Sequence, residues 1–575
     1  MARSGNVSFG RRIHQRWVSM AAMLVVGALA LASCAPDDVE PDEPEATDVD
    51  DTEVEEPEAP EEDEAPEEVD DGGTMVFAHE QEPGMLNPTN PGGGGGGAQA
   101  TGGLIHAGPY VVNPDFEWVP HLLAEDAEIS EDPFTVTYTI RDEARWSDGT
   151  DLTADDFVFT FETIMNPDWN IASTQGYNLI SDYEVHDDKQ VSFIFDEPYP
   201  SFRSLFPVII PRHDAEGEDW DTYWEDGVPV SSGPFVFESW DRGQEMTFVR
   251  NENYWGDGPL LDRIVMRFVS ETATLVELLR GGEIDATDPQ PLAGFAEGIA
   301  DLDNIVVDIK TGVITEHIRF NMDVAPLDQP YVRQAMMMSI DRAALVDNLM
   351  GAVDPDAEPP QSFTYAPGSP HYEEHFDQHA YDPEGAIALL EDNGCERDTD
   401  NVFICEGERL EFGYVTTSGN ERRESMFEIV QAFTAETGFQ LNADFSEAAV
   451  QFGERLPARD FDLMNHGTPM PDPVNMTPMF ACDGPANHTG YCHEEMTELL
   501  NQADLTVDED ERAALINEVN RLIGEDLPLL PVMSLPRQVA YNADRVGGFD
   551  VAPGSDGMTS AWYWNWNAHE FYAVE

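Results

Sequence analysis

Lysine is almost missing from this chain: Lys189 and Lys310 are the only two in 575 residues. Arginine does not make up the shortfall, since Lys and Arg together number 28 against 114 acidic residues, a formal net charge of −86. A surface this negative repels nucleic acid and anionic lipid, so neither is expected as a binding partner. Cysteine is scarce too, five in all, and no two stand at CxxC spacing. His493 adjoins Cys492, but no matching ligand cluster accompanies it, so no metal site is expected. HExxH and GxSxG are missing, which removes the local support for a metalloprotease or a serine hydrolase. "PGGGGGGAQATGG" from Pro91 lacks the Lys-Ser/Thr of a phosphate-cradling loop and reads as a flexible loop. Neither an enzyme nor a cofactor is expected.

What is present begins at the amino terminus. Arg3, Arg11, Arg12 and Arg16 precede an apolar run, Val18 to Ala32, of 15 residues. That is shorter than the roughly 20 needed to span a bilayer as a helix, and the layout is that of a secretory signal. The residues after Arg11-Arg12 fit a twin-arginine signal poorly. Asp37 to Asp71 then holds twenty-one acidic residues and no basic one. Such a stretch cannot bury enough apolar surface to fold, and like charges keep it extended. Its reach is on the order of 100 Å. Without the signal and this stretch, 93 acidic residues still face 24 basic ones, so the folded body is itself strongly acidic. Adaptation to a saline habitat is the reading this supports.

The body is too long for one core, and two or three domains are expected. Four cysteines remain after Cys34, and outside the cytoplasm they favour disulfides. Three connectivities are open; the local pairs Cys395 with Cys405 and Cys482 with Cys492 are favoured. "TMVFAHEQE" reads as a strand followed by a turn. Phe134 to Ile140 alternate as a strand, and Thr153 with Asp156 marks a helix start as a partial capping box. Three strands are expected in "SSGPFVFESWDRGQEMTFVRNENYWGDGPLLDRIVMRFV". A helix ends at Gly281-Gly282, and one amphipathic helix is expected to end at Gly351. Further helical segments fall at 382–392, 421–437, 494–503 and 508–525, with strands between them, giving a mixed α/β class.

Six short stretches occur in order: Arg145-Trp146-Ser147-Asp148-Gly149, Leu152-Thr153-Ala154-Asp155-Asp156, Gly233-Pro234-Phe235, Asn253-Tyr254-Trp255-Gly256, Gly282-Glu283-Ile284-Asp285-Ala286 and Val332-Arg333-Gln334-Ala335. Together they resemble family 5 of the bacterial extracellular solute-binding proteins, the oligopeptide- and dipeptide-binding group, over roughly residues 73–549. Leu31-Ala32-Ser33-Cys34 resembles a lipobox, whose cysteine is lipidated. The resemblance implies a two-lobed α/β fold of the periplasmic-binding-protein kind (type II, cluster C), with an extra N-terminal subdomain and a ligand cleft between the lobes. The implied organisation is signal peptide 1–33, lipidated Cys34 and acidic tether 34–72, first lobe 73–105 with 200–290 and 525–575, extra subdomain 106–199, and second lobe 291–524. It further implies a monomeric lipoprotein facing outside the cytoplasm that serves ABC transporter permease subunits. Trp146, Tyr254 and Trp255 are read as lobe-core aromatics, and Arg333 as paired with a carboxylate near its helix start.

The expected ligand is a small organic solute, with peptides favoured and oligosaccharides or another solute as the alternative; a secreted hydrolase or sensor on the same scaffold is the remaining, less favoured one. On the second lobe the resemblance points to "DLMNHGTPMPDP", and within it to His466, Gly467, Thr468 and Asp472. Peptide binders of the family carry an aspartate three residues before the acidic-Pro turn, for the peptide's ammonium; here that position is Pro469. Asp472 is one candidate to supply the charge. Gly467 would permit close backbone approach, and His466 is equally readable as a hydrogen-bonded core histidine. On the first lobe, Met85, Leu86 and Asn87 are the candidates. Five methionines from Met464 to Met496 suit either an adaptable apolar wall or core packing. In "AWYWNWNAHEF" the alternate tryptophans are read as strand residues packing on the first lobe, with sugar stacking as the alternative.

Overall fold

The computed structural model describes residues 71–93, 96–469, 476–552 and 564–574. The signal, Cys34, most of the acidic tether and Asp472 lie outside the described residues.

A ten-stranded sheet runs in the order Gln440–Ser446, Glu411–Thr417, Leu463–Pro469, Ile305–Phe320, Leu529–Asn542, Ala286–Thr287, Thr74–His79, Arg263–Phe268, Glu245–Arg250, Phe235–Asp241. Its two ends belong to different cores. Phe77, Trp224, Phe235, Phe248 and Met266 pack together at one end. Ile318, Phe320, Met336, Phe412, Tyr414 and Val532 pack together at the other. Two strands pass from one lobe to the other. Ile305–Phe320 packs Ile305 and Val307 against first-lobe residues and buries Ile318 and Phe320 in the second. Leu529–Asn542 runs antiparallel beside it, with Val532 and Met533 in the second lobe and Val539 in the first. The pairing slips between Thr311 and Ile314, at the crossing point. Gly312 sits in that slip; a Cβ there would stand 2.3 Å from the Leu535 carbonyl oxygen, so only glycine lets the strands approach this closely.

A third core belongs to a separate four-stranded sheet, in the order Glu128–Glu131, Phe134–Thr139, Gln190–Phe195, Ile180–Asp187. Phe134–Thr139 alternates buried and half-buried residues, as its sequence alternation predicts. The helix Ala154–Ile164 packs on this sheet through Phe157 and Ile164. The Thr153 backbone N–H donates to Asp156 at 2.9 Å, one arm of the expected capping box. Asp156 is buried and also accepts from the Trp146 indole N–H at 3.2 Å and the Arg212 backbone N–H at 2.9 Å. Trp146 is thus a fully buried core aromatic, whereas Tyr254 and Trp255 are half-buried.

Four readings change. The glycine-rich stretch expected as a loop contains a helix, Gly96–Ile105. The amphipathic helix expected to run to Gly351 is two helices, Pro330–Ser339 and Arg342–Met350. The break falls where Asp341 accepts from the Ala344 N–H at 2.9 Å and so caps a new start. Arg333 meets carbonyls and not a carboxylate: it donates to Leu327 O at 2.7 Å, Asp526 O at 2.5 Å and Leu527 O at 3.0 Å. The last two close the C-terminal end of the helix Glu509–Asp526, where carbonyls lack intrahelical partners. Trp564 lies in a turn and not a strand, stacked on Phe77 with ring centroids 3.8 Å apart. Cys395 is bonded to Cys405 and Cys482 to Cys492.

Candidate functional site

The strand Leu463–Pro469 runs antiparallel to the second-lobe half of Ile305–Phe320, with Ile314 opposite Pro469, Thr315 opposite Thr468, Glu316 opposite Gly467 and His317 opposite His466. Residues directly opposite share a face. One face therefore presents Thr315, His317 and Arg319 with His466 and Thr468; the other presents Glu316 and Ile318 with Asn465 and Gly467. Because Ile314 adjoins the crossing point, Thr468 and Pro469 stand at the second lobe's edge of the inter-lobe boundary.

On the first face, the protons can be placed from the partners. His317 Nδ1 is 3.0 Å from the Thr315 carbonyl, which only accepts, so Nδ1 carries the hydrogen. Its Nε2 then accepts from Arg319 Nε at 3.0 Å. His466 repeats the tautomer, Nδ1–H donating to Gly467 O at 3.1 Å. Its ring stands edge-on to His317 at 4.7 Å and to Phe452 at 5.6 Å. His466 Nε2 is buried without a hydrogen-bond partner. Burial first, with Arg319 adding, pulls its pKa down to about 3; His317 lies well below its ordinary value for the same leading reason. Both imidazoles are neutral at pH 7. The Arg319 side chain runs past His317 toward Thr468, its Nη2 3.4 Å from the Thr468 hydroxyl and 3.6 Å from Met479 Sδ.

The second face is a closed ionic network. Glu316 is fully buried and accepts from Arg422 Nη2 at 2.8 Å and Arg423 Nη2 at 2.9 Å, and Asn465 Nδ2 adds a bond at 3.2 Å. Gly467 is used here: a Cβ on it would meet Ile314 at 2.8 Å and Glu316 at 3.4 Å. Its bare backbone thus serves strand packing over this network.

Among the described residues, the candidates separate into two groups that no hydrogen bond or ion pair joins. His466, Gly467 and Thr468 come together with His317 and Arg319. In the first lobe, Leu86 packs in the core, and Asn87 spends its side chain on Trp220 O at 3.0 Å and on the Thr89 N–H and hydroxyl at 3.1 and 2.8 Å. Leu86 and Asn87 therefore shape the turn, and half-buried Met85 beside them packs toward Gly92. Of the methionines, Met464, Met476 and Met496 are buried in core, while half-buried Met479 borders Arg319. Met479 belongs to the short helix Thr477–Phe480, whose Thr477 and Pro478 also line a cavity of about 440 Å³. The opposite wall of that cavity is Gly176 and Tyr199, so it opens between the four-stranded subdomain and the second lobe. Among the described residues no cluster of three metal-ligating side chains occurs, and no helix is long and apolar enough to cross a membrane.

His317 and Arg319 were not singled out by sequence reasoning. Their signal is "TEHIRF", where Glu, His and Arg punctuate an otherwise buried strand in a chain poor in cations.

Comparison with known proteins follows the same lines. The family model described as Bacterial extracellular solute-binding proteins, family 5 Middle matches residues 117–488. The Di/tripeptide-binding protein 2 of Pseudomonas aeruginosa (strain UCBPP-PA14) is 26% identical over 472 residues, covering 75% of this chain and 84% of that protein. The Oligopeptide-binding protein OppA of Bacillus subtilis (strain 168) is 25% identical over 449 residues, covering 71% and 78%. In fold, the Periplasmic EDTA-binding protein EppA superposes with a TM-score of 0.79 at 23% identity, covering 88% of this chain and 97% of that one.

Proposed function

The chain belongs to family 5 of the bacterial extracellular solute-binding proteins, and on that premise we propose that it captures oligopeptides outside the cytoplasm and delivers them to the permease subunits of an ABC importer. Oligosaccharides or another solute on the same scaffold are the alternative. The protein works as a monomer held to the membrane through lipid on Cys34, with the acidic stretch as its tether, and it binds without turning its ligand over. Two relatives named for peptide binding support the peptide reading. The observation that carries the placement of the site is the crossing of Ile305–Phe320 and Leu529–Asn542 between lobes, with polar groups of His466 and Arg319 left uncommitted beside it. His466, Thr468 and Asp472 form the second-lobe wall and Met85 contributes from the first, while Leu86, Asn87 and Gly467 shape the backbone behind them. Trp564 supports sugar stacking poorly, because Phe77 and Phe571 flank its ring.

One experiment tests the two parts. Cys34→Ser should leave the membrane fraction, and native mass spectrometry of the released protein should show bound peptide, with peptides and not oligosaccharides raising its melting temperature. Retention of Cys34→Ser in the membrane overturns the anchor. A bound sugar, or a thermal response to oligosaccharides alone, overturns the peptide reading. Should Asp472 anchor a peptide ammonium, Asp472→Asn weakens peptide binding by about 2–5 kcal/mol, and unchanged affinity removes it from that role.

A further inference from the structure

Among the described residues, the buried arginines follow a rule with one exception. Arg333 meets three carbonyl oxygens, and Arg342 donates to Pro360 O at 2.9 Å, Pro531 O at 3.2 Å and Gln361 Oε1 at 3.2 Å. Arg422 shares Glu316 with half-buried Arg423. Arg319, only 3% exposed, has none of these: its Nε meets an imidazole, its Nη2 reaches only a hydroxyl and a thioether at long range, and its Nη1 has no partner. No carboxylate of the described residues pairs with it, in a chain where acids outnumber cations fourfold. Its pKa is lowered to about 10, and burial is the cause. A desolvated charge without a counter-charge is strongly unfavourable. Nearby charges do not offset it either. Arg319 and Arg423 both depress the pKa of His317 and His466, and Glu316 is already shared by two guanidiniums.

From this geometry we propose that Arg319 is the docking group for an oxyanion of the transported solute, a carboxylate in the first instance, with Thr468 and His466 completing the subsite. The inference rests on the solute-binding reading and narrows it to solutes that arrive negatively charged at this end of the cleft. A guanidinium presents parallel N–H donors that match a carboxylate in geometry as well as sign. The free Nη1 supplies one such donor, and the Thr468 hydroxyl lies alongside Nη2. His466 Nε2 bears a lone pair, because its Nδ1 holds the proton, so it accepts from a donor next to the anion. The ligand end that satisfies all three is a carboxylate with a neighbouring N–H or O–H. The last residue of a peptide and a free hydroxycarboxylic acid both offer it.

The test titrates the full chain by calorimetry and thermal shift with tripeptides bearing free carboxyl termini, the same tripeptides as C-terminal amides, and citrate, at constant salt. Wild-type protein should bind the free acids about 30-fold or more tightly than the amides, the scale for losing one partner of a buried charge pair. Arg319→Gln should erase that preference. Should Arg319→Gln fail to fold, Thr468→Val takes its place and should weaken the acids more than the amides. Citrate binding without any peptide binding upholds the oxyanion subsite and overturns the peptide reading. Amides binding wild type as well as acids, or a preference that survives the substitution, overturns the subsite and leaves peptide capture standing. No response to any of the three probes overturns both.

Discussion

His106, His317 and His466 are buried, and burial holds each below its ordinary pKa, to about 3 for His106 and His466. Each is neutral in the folded protein and free to protonate near pH 6.5 when unfolded. Below that pH the unfolded chain binds more protons, so stability is lost as pH falls from about 6.5 toward 3. Each group contributes up to about 1.4 kcal/mol per pH unit to that slope. Ordinary carboxylates titrate mainly below pH 5, so the histidines dominate the window between pH 7 and 5, while Asp156 and Asp285, raised by burial, act in the opposite sense. The melting temperature should fall across it, and His106→Phe, which keeps a ring against Trp224, should show a shallower fall. Equal slopes in the two proteins would refute the assignment. At this scale legibility was uneven. His466 and Thr468 were reached through family resemblance, but Arg319 was not, because nothing within "HIRF" says that no acid will come to meet it. Two of the three carbonyls that hold Arg333 are supplied by a helix end 193 and 194 residues away.

The two disulfides close short local segments, each with a sequence separation of 10, and local spacing was enough to favour them. Cys395 and Cys405 lie in the second-lobe core with Phe403 and Leu410, where the strand pair Glu396–Arg397 and Phe403–Cys405 joins the segment to the helix before it. Constraining about ten residues limits the unfolded chain and contributes roughly 2–3 kcal/mol in the chain-entropy description. Replacing both residues by Ala should lower unfolding free energy by that amount in denaturant titrations, with little change in the slope; an unchanged midpoint would contradict it. Helices with plain start signals were readable to within a residue: Asn420, His493 and Asp508 cap the helices at Glu421–Thr437, Glu494–Ala503 and Glu509–Asp526. The glycine-rich helix Gly96–Ile105 was not, since its residues have poor intrinsic helix propensity. Its placement depends on tertiary packing: a Cβ on Gly103 would stand 2.6 Å from the Asn565 carbonyl oxygen, a contact with a residue far along the chain.

Three large cores among the described residues, two crossing strands and a charge of −86 set the behaviour of the whole molecule. The α/β fold class was legible because six short motifs occur in the order the family has them; the slip at Gly312 that lets two strands pass between lobes was not, because it depends on strands paired from distant parts of the chain. With 28 cations for 114 anions, arginine pairs neutralise only a minority of the acids. The rest repel one another, and the compact state gathers them more densely than the unfolded chain does, so repulsion weakens folding in dilute buffer. Salt shortens the Debye length from about 30 Å at 0.01 M to about 3 Å at 1 M and removes most of that cost. Screening also weakens the exposed ion pairs, but those contribute at most about 1 kcal/mol each, and the unpaired acids outnumber them. The melting temperature should therefore rise by several degrees between dilute buffer and molar sodium chloride. Excluded solutes stabilise any compact protein, so sucrose at matched osmolality is the control and should produce a smaller rise. A melting temperature that is flat in salt, or matched by sucrose, would show that self-repulsion does not limit this fold and would remove the argument for a saline habitat.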